Sequence, residues 1–259
     1  MTAQSASASP GDPDPAPRRR SRARRLPPSG NTRFDFDLGL CAGGTVAGAD
    51  EAGRGSLAGP LVAAAVCLDY AQLSQADFTA MADLDDSKKL SRSARALLYN
   101  EILRRACQVT VICCSPHTID RNGLHRCNLA ALATALTAIA PAANVALVDG
   151  FKLPEGAPPH QAVIGGDGRS AAIAAASIVA KVARDGMMAE LDARYPGYGF
   201  AQHKGYGTEE HLAQLRALGP CPEHRMSFAP VREVFQQRLP FGEREACAPT
   251  PVGRTCGVE

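Results

Sequence analysis

Apolar runs alternate with segments of helical periodicity through the middle of the chain. Four runs rich in Val, Ala and Leu are predicted to be buried strands: 45–49, 60–68, 108–114 and 144–148. Three longer segments repeat apolar residues at helical spacing, at 91–107, 117–139 and 170–188, and Ser91 is a plausible N-cap of the first. Strands that alternate with helices indicate an α/β fold with a mixed or parallel sheet flanked by helices.

The C-terminal third has a different pattern. A loop rich in Gly, Tyr and His begins near residue 195, and helices are predicted at 208–218 and 231–237. We therefore expect a catalytic domain over 41–240 whose last part, about 195–240, is small and helical. Residues 1–40 are predicted to be a disordered basic arm and 241–259 a flexible tail, while 70–83 is expected to be only a loop.

Composition limits the class of protein. The chain has 259 residues, of which 45% are hydrophobic, which is enough for a large core and excludes collagen-like and wholly disordered chains. No run approaches the roughly 18 to 20 apolar residues of a membrane span, and the N-terminus lacks the apolar segment of a secretory signal, so we expect a cytosolic protein, and we expect a monomer. Nine cysteines without a C-x-x-C pair are expected to stay reduced and to bind no structural zinc.

Positive charge is concentrated at the N-terminus. Residues 1–33 contain seven arginines and two aspartates, whereas the remainder is slightly acidic. This composition fits a solvated extension and an auxiliary tether for nucleic acid equally well. Any attraction to a polyanion that comes from bulk charge lies in this segment.

Carboxylates stand where two predicted strands end. Asp50 and Glu51 follow one apolar run, and Asp149 ends another. Neighbouring residues of a strand point to opposite faces, so Asp50 and Glu51 reach one site only if the backbone bends directly after them. Glycines at 53 and 55 permit that bend, and Asp167 precedes the helix predicted from about 170.

A cluster of three or four such acids suits a hard cation, Mg²⁺ or Mn²⁺, and phosphoryl transfer is the reaction that most often uses one. Each acid taken singly also has a local structural explanation. These explanations are a cap for Asp50, a surface charge for Glu51, an Asx-turn for Asp149 and a loop acid for Asp167. Two buried strands that both end in acids beside glycines make those local roles a poorer joint explanation. Other phosphate-binding motifs are incomplete or missing, because Arg54 and Gly55 stand where a P-loop needs Lys and Ser or Thr.

Six motifs, in one order, resemble bacterial ribonuclease HII over about residues 44–235. They are GADEAGRGSLAGPLVAAAV (48–66), LDDSKKLS (84–91), LVDG (147–150), GGDGRSAAIAAASIVAKVARD (165–185), YPGYGFAQHKGYGT (195–208) and GPCPEHRMSF (219–228). The resemblance implies an RNase H-like fold. It also implies cleavage of the RNA strand of RNA–DNA hybrids and nicking on the 5′ side of single ribonucleotides in duplex DNA, with 5′-phosphate and 3′-hydroxyl ends.

The resemblance also implies roles for individual residues. Asp50, Glu51 and Asp149 match the metal-binding acids, and Asp167 matches the fourth catalytic acid. Gly53, Arg54 and Gly55 match a turn that contacts the ribonucleotide 2′-hydroxyl, a group found only in RNA. Tyr206 matches a tyrosine that packs on the sugar at the RNA–DNA junction.

Four further residues have weaker assignments. Lys88 and Lys89 are assigned to phosphate contacts, although a solvated charge pair explains them nearly as well. His203 and His224 could contact phosphate, but the simpler interpretation is loop histidines with satisfied hydrogen bonds.

Two alternatives to the implied enzyme stay open at this stage. Another RNase H-like metal nuclease that acts on DNA would share the acids. A non-catalytic module that binds hybrids would bind without turnover.

Overall fold

A five-stranded mixed sheet forms the centre of the protein in a computed structural model that describes residues 31–85, 87 and 90–238. The strands are β1 (Thr45–Ala52), β2 (Leu61–Asp69), β3 (Ala106–Cys114), β4 (Val145–Asp149) and β5 (Gln161–Val163). Their order is β3-β2-β1-β4-β5. β2 runs antiparallel to β1 and β3, whereas β4 runs parallel to β1 and β5. The predicted mixed sheet flanked by helices is confirmed.

Helices cover both faces of this sheet. They are α1 (Thr32–Cys41), α2 (Gln75–Ala80), α3 (Arg92–Arg105), α4 (Pro116–Asn122), α5 (Leu124–Ile139), α6 (Ala171–Arg194), α7 (Phe200–His203), α8 (Glu209–Leu218) and α9 (Ala229–Arg238). α1, α3 and α6 share a core with one face of the sheet, and α5 packs on the other face. Among the described helices, none combines the length and the apolar character that crossing a membrane demands.

α6 lies unusually close to β1. Its first turns are almost all alanine and fully buried. A Cβ atom on Gly48 of β1 would lie 2.2 Å from the main-chain carbonyl carbon of Ala172, which no real contact allows. Small residues on both elements therefore set the distance between the helix and the strand that carries Asp50.

Replacing Gly48 by Ala is expected to lower the free energy of unfolding by about 3 kcal/mol, because α6 must move away from the sheet to make room. Urea denaturation measures the effect. Gly186→Ala is the matched control: Gly186 is an exposed position of α6 with open space around it, so alanine there should raise stability by up to about 1 kcal/mol. A Gly48→Ala protein as stable as the parent would contradict the close packing.

Three parts of the fold differ from the predictions made from the sequence. The helix expected over 117–139 is two helices, because Gly123 between them takes a φ of +84°. The expected loop at 70–83 contains α2, which begins with a capping box formed by Ser74 and Asp77. Strand β5 was not predicted, being only three residues long.

The predicted disordered arm is also too long at its C-terminal end. Residues from 32 onward form α1, and the ring of Phe34 is fully buried with its centroid 5.0 Å from that of Phe78 and 6.3 Å from that of Tyr70. One buried aromatic anchor, together with the Asn31 side chain as N-cap, holds a helix whose apolar periodicity is weak. The rest of the arm, 1–30, and the predicted tail, 241–259, lie outside the described residues.

Candidate active site

Asp50 and Asp149 meet at the centre of the sheet. β1 and β4 pair in parallel, with Ala49 opposite Val148, so the next residues along the two strands are Asp50 and Asp149. Asp50 is on the face of β1 that packs toward α6, and alternation along β4 puts Asp149 on the same face. β1 and β4 are thus neighbours in the sheet, and Asp50 and Asp149 lie side by side.

Glu51 starts from the other face of β1. The strand continues through Glu51 and Ala52, which pair with Ala63 and Val62 of β2, so the bend expected directly after Glu51 is absent. The chain turns only at Gly53, where φ is +90°. The prediction of an immediate bend was wrong, because regular antiparallel pairing with β2 extends past the acids. Glu51 is nevertheless close enough to act electrostatically on Asp50.

The three acids repel one another. Burial, followed by the charges of Glu51 and Asp149, raises the pKa of Asp50 well above its ordinary value. Burial also raises the pKa of Glu51, although Arg54 and Asn128 lower it. Oε2 of Glu51 is buried and has no hydrogen-bond partner. Mutual repulsion and an unpaired buried carboxylate oxygen are what a cation would relieve, so these residues fit a divalent ion.

The acids are not, however, arranged as a finished coordination sphere. In the described ranges, no three His, Cys, Asp or Glu side chains stand together as a group able to hold a metal ion. Oδ1 of Asp149 instead accepts a hydrogen bond of 2.6 Å from the main-chain N–H of Gly166. Side-chain rotation at Glu51 and Asp149 would be needed to complete such a site.

Asp167 lies beside the acids through its backbone. It is the middle residue of a 3-10 turn, Gly166–Gly168, that stands directly before α6. The bond from Gly166 to Asp149 joins this turn to β4. The Asp167 turn is therefore joined to the strand that carries Asp149, and the catalytic role of the Asp167 carboxylate stays a prediction.

The Gly-Arg-Gly turn begins where β1 ends. Nη1 of Arg54 lies 3.2 Å from Oε1 of Glu51, and the guanidinium stands 4.8 Å from the centre of the Phe151 ring. Nε of Arg54 is buried and has no hydrogen-bond partner, although 39% of the side chain is exposed. A Cβ on Gly55 would meet nothing within 4 Å, so this side of the turn is open to a ligand.

A groove of about 540 Å³ brings the predicted binding residues together. Tyr206, of which 36% is exposed, reaches it because residue 206 forms an isolated antiparallel bridge with Ser56. Residues that line the groove are Glu51, Ala52, Gly53, Arg54, Gly55, Ser87, Arg95, Ser177, Lys181 and Tyr206. The groove therefore runs from one of the acids to the tyrosine. Lys88 and Lys89 lie outside the described residues.

Two buried arginines support this turn and were missed by the sequence analysis. Arg225 donates to the main-chain oxygens of Arg54 and Gly59, at 3.0 to 3.1 Å. Arg184 donates to the carbonyls of Pro60, Ala58 and Lys204, at 2.8 to 3.1 Å. Both side chains are fully buried, and burial lowers the pKa of Arg225 to about 10. Both arginines lie in motifs that the sequence analysis identified. No local sequence pattern, however, indicates that an arginine binds main-chain carbonyls.

The histidines have structural partners, as the simpler interpretation expected. His203 Nε2 lies 2.7 Å from the carbonyl oxygen of Tyr198. His224 is buried, with Nε2 at 3.1 Å from Nε2 of His211 and Nδ1 beside the Cys221 sulfur. Lys181 and Asp185, four residues apart on α6, form an ion pair at 2.7 Å.

His224 makes stability depend on pH. Burial lowers its pKa from 6.5 to about 4, so the unfolded chain takes up a proton at a higher pH than the folded one. Its contribution is complete above pH 6.5 and is lost as the pH falls toward 4, with a total of about 3 kcal/mol. His224→Gln should flatten urea-derived stability over this range, and exposed His117→Gln should not. An unchanged slope in the His224 variant would contradict the assignment.

Comparisons with known proteins agree with this geometry. A family model described as ribonuclease HII matches residues 47–231. Ribonuclease HII of Nocardia farcinica is 51% identical over 190 residues, which is 73% of this chain and 74% of that one. Ribonuclease HII of Xanthobacter autotrophicus is 52% identical over 188 residues, 73% of this chain and 72% of that one.

Solved structures share the fold. Ribonuclease H2 from Pyrococcus horikoshii superposes with a TM-score of 0.63 at 22% identity, covering 74% of this chain and 98% of that one. Bst-RNase HIII in complex with Mn²⁺ gives a TM-score of 0.54 at 21% identity, covering 74% and 69%. RNase HII in a PCNA complex from Archaeoglobus fulgidus gives 0.59 at 27% identity, covering 71% and 95%.

The family model and the relatives define a ribonuclease H, a phosphodiester hydrolase of a family that depends on divalent metal ions. Within that class, the chain belongs to the ribonuclease HII family. It is an endoribonuclease that acts on RNA–DNA hybrids.

Proposed function

We propose that this enzyme cuts the RNA strand of hybrids and also nicks duplex DNA on the 5′ side of a single embedded ribonucleotide. The products carry 5′-phosphate and 3′-hydroxyl ends. The observation that carries the proposal is that one groove contains both a carboxylate of the acid group and the Gly-Arg-Gly turn with Tyr206. One residue proposed for cleavage, Glu51, therefore shares a groove with the residues proposed for ribose recognition.

Asp50, Glu51 and Asp149 are proposed to hold the divalent ions, with Asp167 as the fourth acid. Divalent ions bound there would activate water and stabilise charge on the phosphate that is cut. Oε2 of Glu51 is buried without a hydrogen-bond partner, so a bound cation would give it one. A shared cation would also relieve the repulsion between the carboxylates. Oxygen-only ligands favour Mg²⁺ or Mn²⁺. The Mn²⁺ complex of Bst-RNase HIII supports that choice at the level of the shared fold.

Recognition of the ribose is proposed for Gly53, Arg54, Gly55 and Tyr206. The turn has open space at Gly55, so its main-chain groups can approach a sugar closely. A 2′-hydroxyl both donates and accepts hydrogen bonds, and the partly exposed guanidinium of Arg54 can donate one. The half-exposed ring of Tyr206 offers a flat apolar surface to the adjoining deoxyribose.

Phosphate contacts by Lys88 and Lys89 remain a prediction. Of the described residues next to them in the chain, Ser87 and Leu90 both accept hydrogen bonds from Nη1 of Arg95 through their carbonyls. The cytosolic location and the monomeric state also remain predictions. The Archaeoglobus fulgidus RNase HII forms a complex with PCNA, but we propose no protein partner for this chain.

Mapping of the cut site tests the proposal. With Mg²⁺ or Mn²⁺, a DNA duplex that bears one ribonucleotide should be nicked 5′ of that residue, and an all-DNA duplex of the same sequence should stay intact. Cleavage of the all-DNA duplex would support the DNA nuclease instead. Cleavage of long hybrids but not of the single-ribonucleotide duplex would remove the proposed junction specificity.

A further inference from the structure

α1 and its N-cap residue contact two segments, the Asp167 turn and residues 82–85. Nε of Arg33 donates a 3.0 Å hydrogen bond to the main-chain oxygen of Asp167. The same guanidinium forms an ion pair with Asp85 through Nη2. Just before the helix, Nδ2 of Asn31 donates to the carbonyl of Ala82 at 2.7 Å. Arg33 therefore connects the Asp167 turn to the segment that leads into Lys88.

These contacts are sheltered from solvent. Only 16% of the Arg33 side chain is exposed, compared with 71% for Arg104, which forms an ordinary surface pair with Glu101. Exposed pairs contribute little, whereas a partly buried guanidinium that bonds two groups at once fixes their geometry. Arg33 thus differs from the arginines of a flexible tether.

A second residue of α1 fixes the helix that follows the Asp167 turn. Asp37 is fully buried, and its Oδ2 accepts hydrogen bonds from the main chain of Ala172, at 2.9 Å, and from the Tyr70 hydroxyl, at 2.6 Å. Ala172 lies in the first turn of α6. The Asp167 turn is consequently held at its carbonyl by Arg33 and at its downstream end by the helix that Asp37 anchors.

We propose that Arg33 is a positioning residue for cleavage, acting through the turn that carries Asp167. The inference rests on the proposed catalytic role of Asp167. Arg33 fixes the carbonyl of that residue, and the preceding N–H, of Gly166, binds the Asp149 carboxylate. Loss of the Arg33 bond would loosen two of the four acids at once. Partners that orient metal ligands are typically worth about 10- to 100-fold in activity or metal affinity.

The test compares Arg33→Ala and Arg33→Lys with the surface control Arg104→Ala. Arg33→Ala should lower kcat by about tenfold, raise the half-saturating Mn²⁺ concentration and weaken Mn²⁺ binding measured by calorimetry without substrate, while KM for a hybrid stays unchanged. Arg33→Lys should recover part of this loss, since lysine cannot bond both partners. Unchanged kcat and Mn²⁺ affinity would overturn the proposal, and so would a rise in KM alone, which is the signature of a substrate tether.

A double-mutant cycle separates this inference from the role of Asp167. Because Arg33 acts on Asp167 and, through Gly166, on Asp149, Arg33→Ala should lower kcat by a smaller factor in the Asp167→Asn background than in the parent. An equally large further loss would overturn the positioning role of Arg33. Full activity of Asp167→Asn alone would instead refute the catalytic role of Asp167. Melting temperatures of all variants show whether any loss of activity follows the unfolded fraction, which would also overturn the proposal.

Discussion

Asp50→Asn is expected to lower cleavage of an RNA–DNA hybrid by about a thousandfold or more, because the amide cannot supply the charge that holds a divalent ion. The substitution keeps the size and shape of the side chain. Asp50 is almost entirely buried between β1 and α6, and its only role in the proposed account is to bind the cation. Single-turnover cleavage with Mn²⁺ measures the loss, and Glu101→Gln, at a partly exposed position of α3, is the control.

The same variant should be more stable than the parent when no metal is present. The pKa of Asp50 is raised in the folded state, so its ionisation at neutral pH favours the unfolded chain. Asparagine removes that penalty. Mn²⁺ should raise the melting temperature of the parent protein and of Glu101→Gln, but not of Asp50→Asn. Retained turnover, or a retained Mn²⁺ shift in the variant, would contradict the role of Asp50.

Gly53→Ala is expected to lower cleavage by about a hundredfold without affecting Mn²⁺ binding. A Cβ at this position would lie 2.0 Å from Nε of the buried Arg184, at a φ of +90° that alanine rarely adopts. The turn must therefore shift, and a displacement of about 1 Å at a binding element can cost a hundredfold in rate. Some loss of stability should accompany it, about 1 to 2 kcal/mol.

Gly55→Ala distinguishes a loss of substrate binding from a loss of stability. Since its Cβ would meet nothing within 4 Å, the free protein should keep its melting temperature. If the open side of the turn receives the sugar, KM for a single-ribonucleotide duplex should nevertheless rise. Wild-type cleavage by Gly53→Ala would show that the position of the turn is irrelevant to catalysis.

Much of the site could be predicted because its signals are local. An acid at the end of an apolar run, followed by glycine, marks a strand end at Asp149, whereas β1 continues two residues past Asp50. Parallel pairing then brings the two acids together, because it aligns equivalent ends of adjacent strands. The meeting of Asp50 with Asp149 also required β1 and β4 to be neighbours, which strand periodicity alone does not determine.

Features that depend on distant contacts could not be predicted. The helical state of 32–41 depends on a ring, Phe34, buried under residues some forty positions away, so its own weak periodicity gave no indication. Glu51 points away from Asp50 because β2 extends the pairing past it. Arg184 and Arg225 bind carbonyls that only the folded chain brings to them.

The location of a bound ion tests the central claim most directly. Crystals of the enzyme soaked in Mn²⁺ would be measured at the manganese absorption edge, where anomalous scattering marks the ion. The account predicts a peak within ligand distance of the Asp50 and Asp149 carboxylates, with Glu51 turned toward it. Manganese bound only elsewhere on the protein, with those carboxylates unoccupied at saturating concentration, would contradict it.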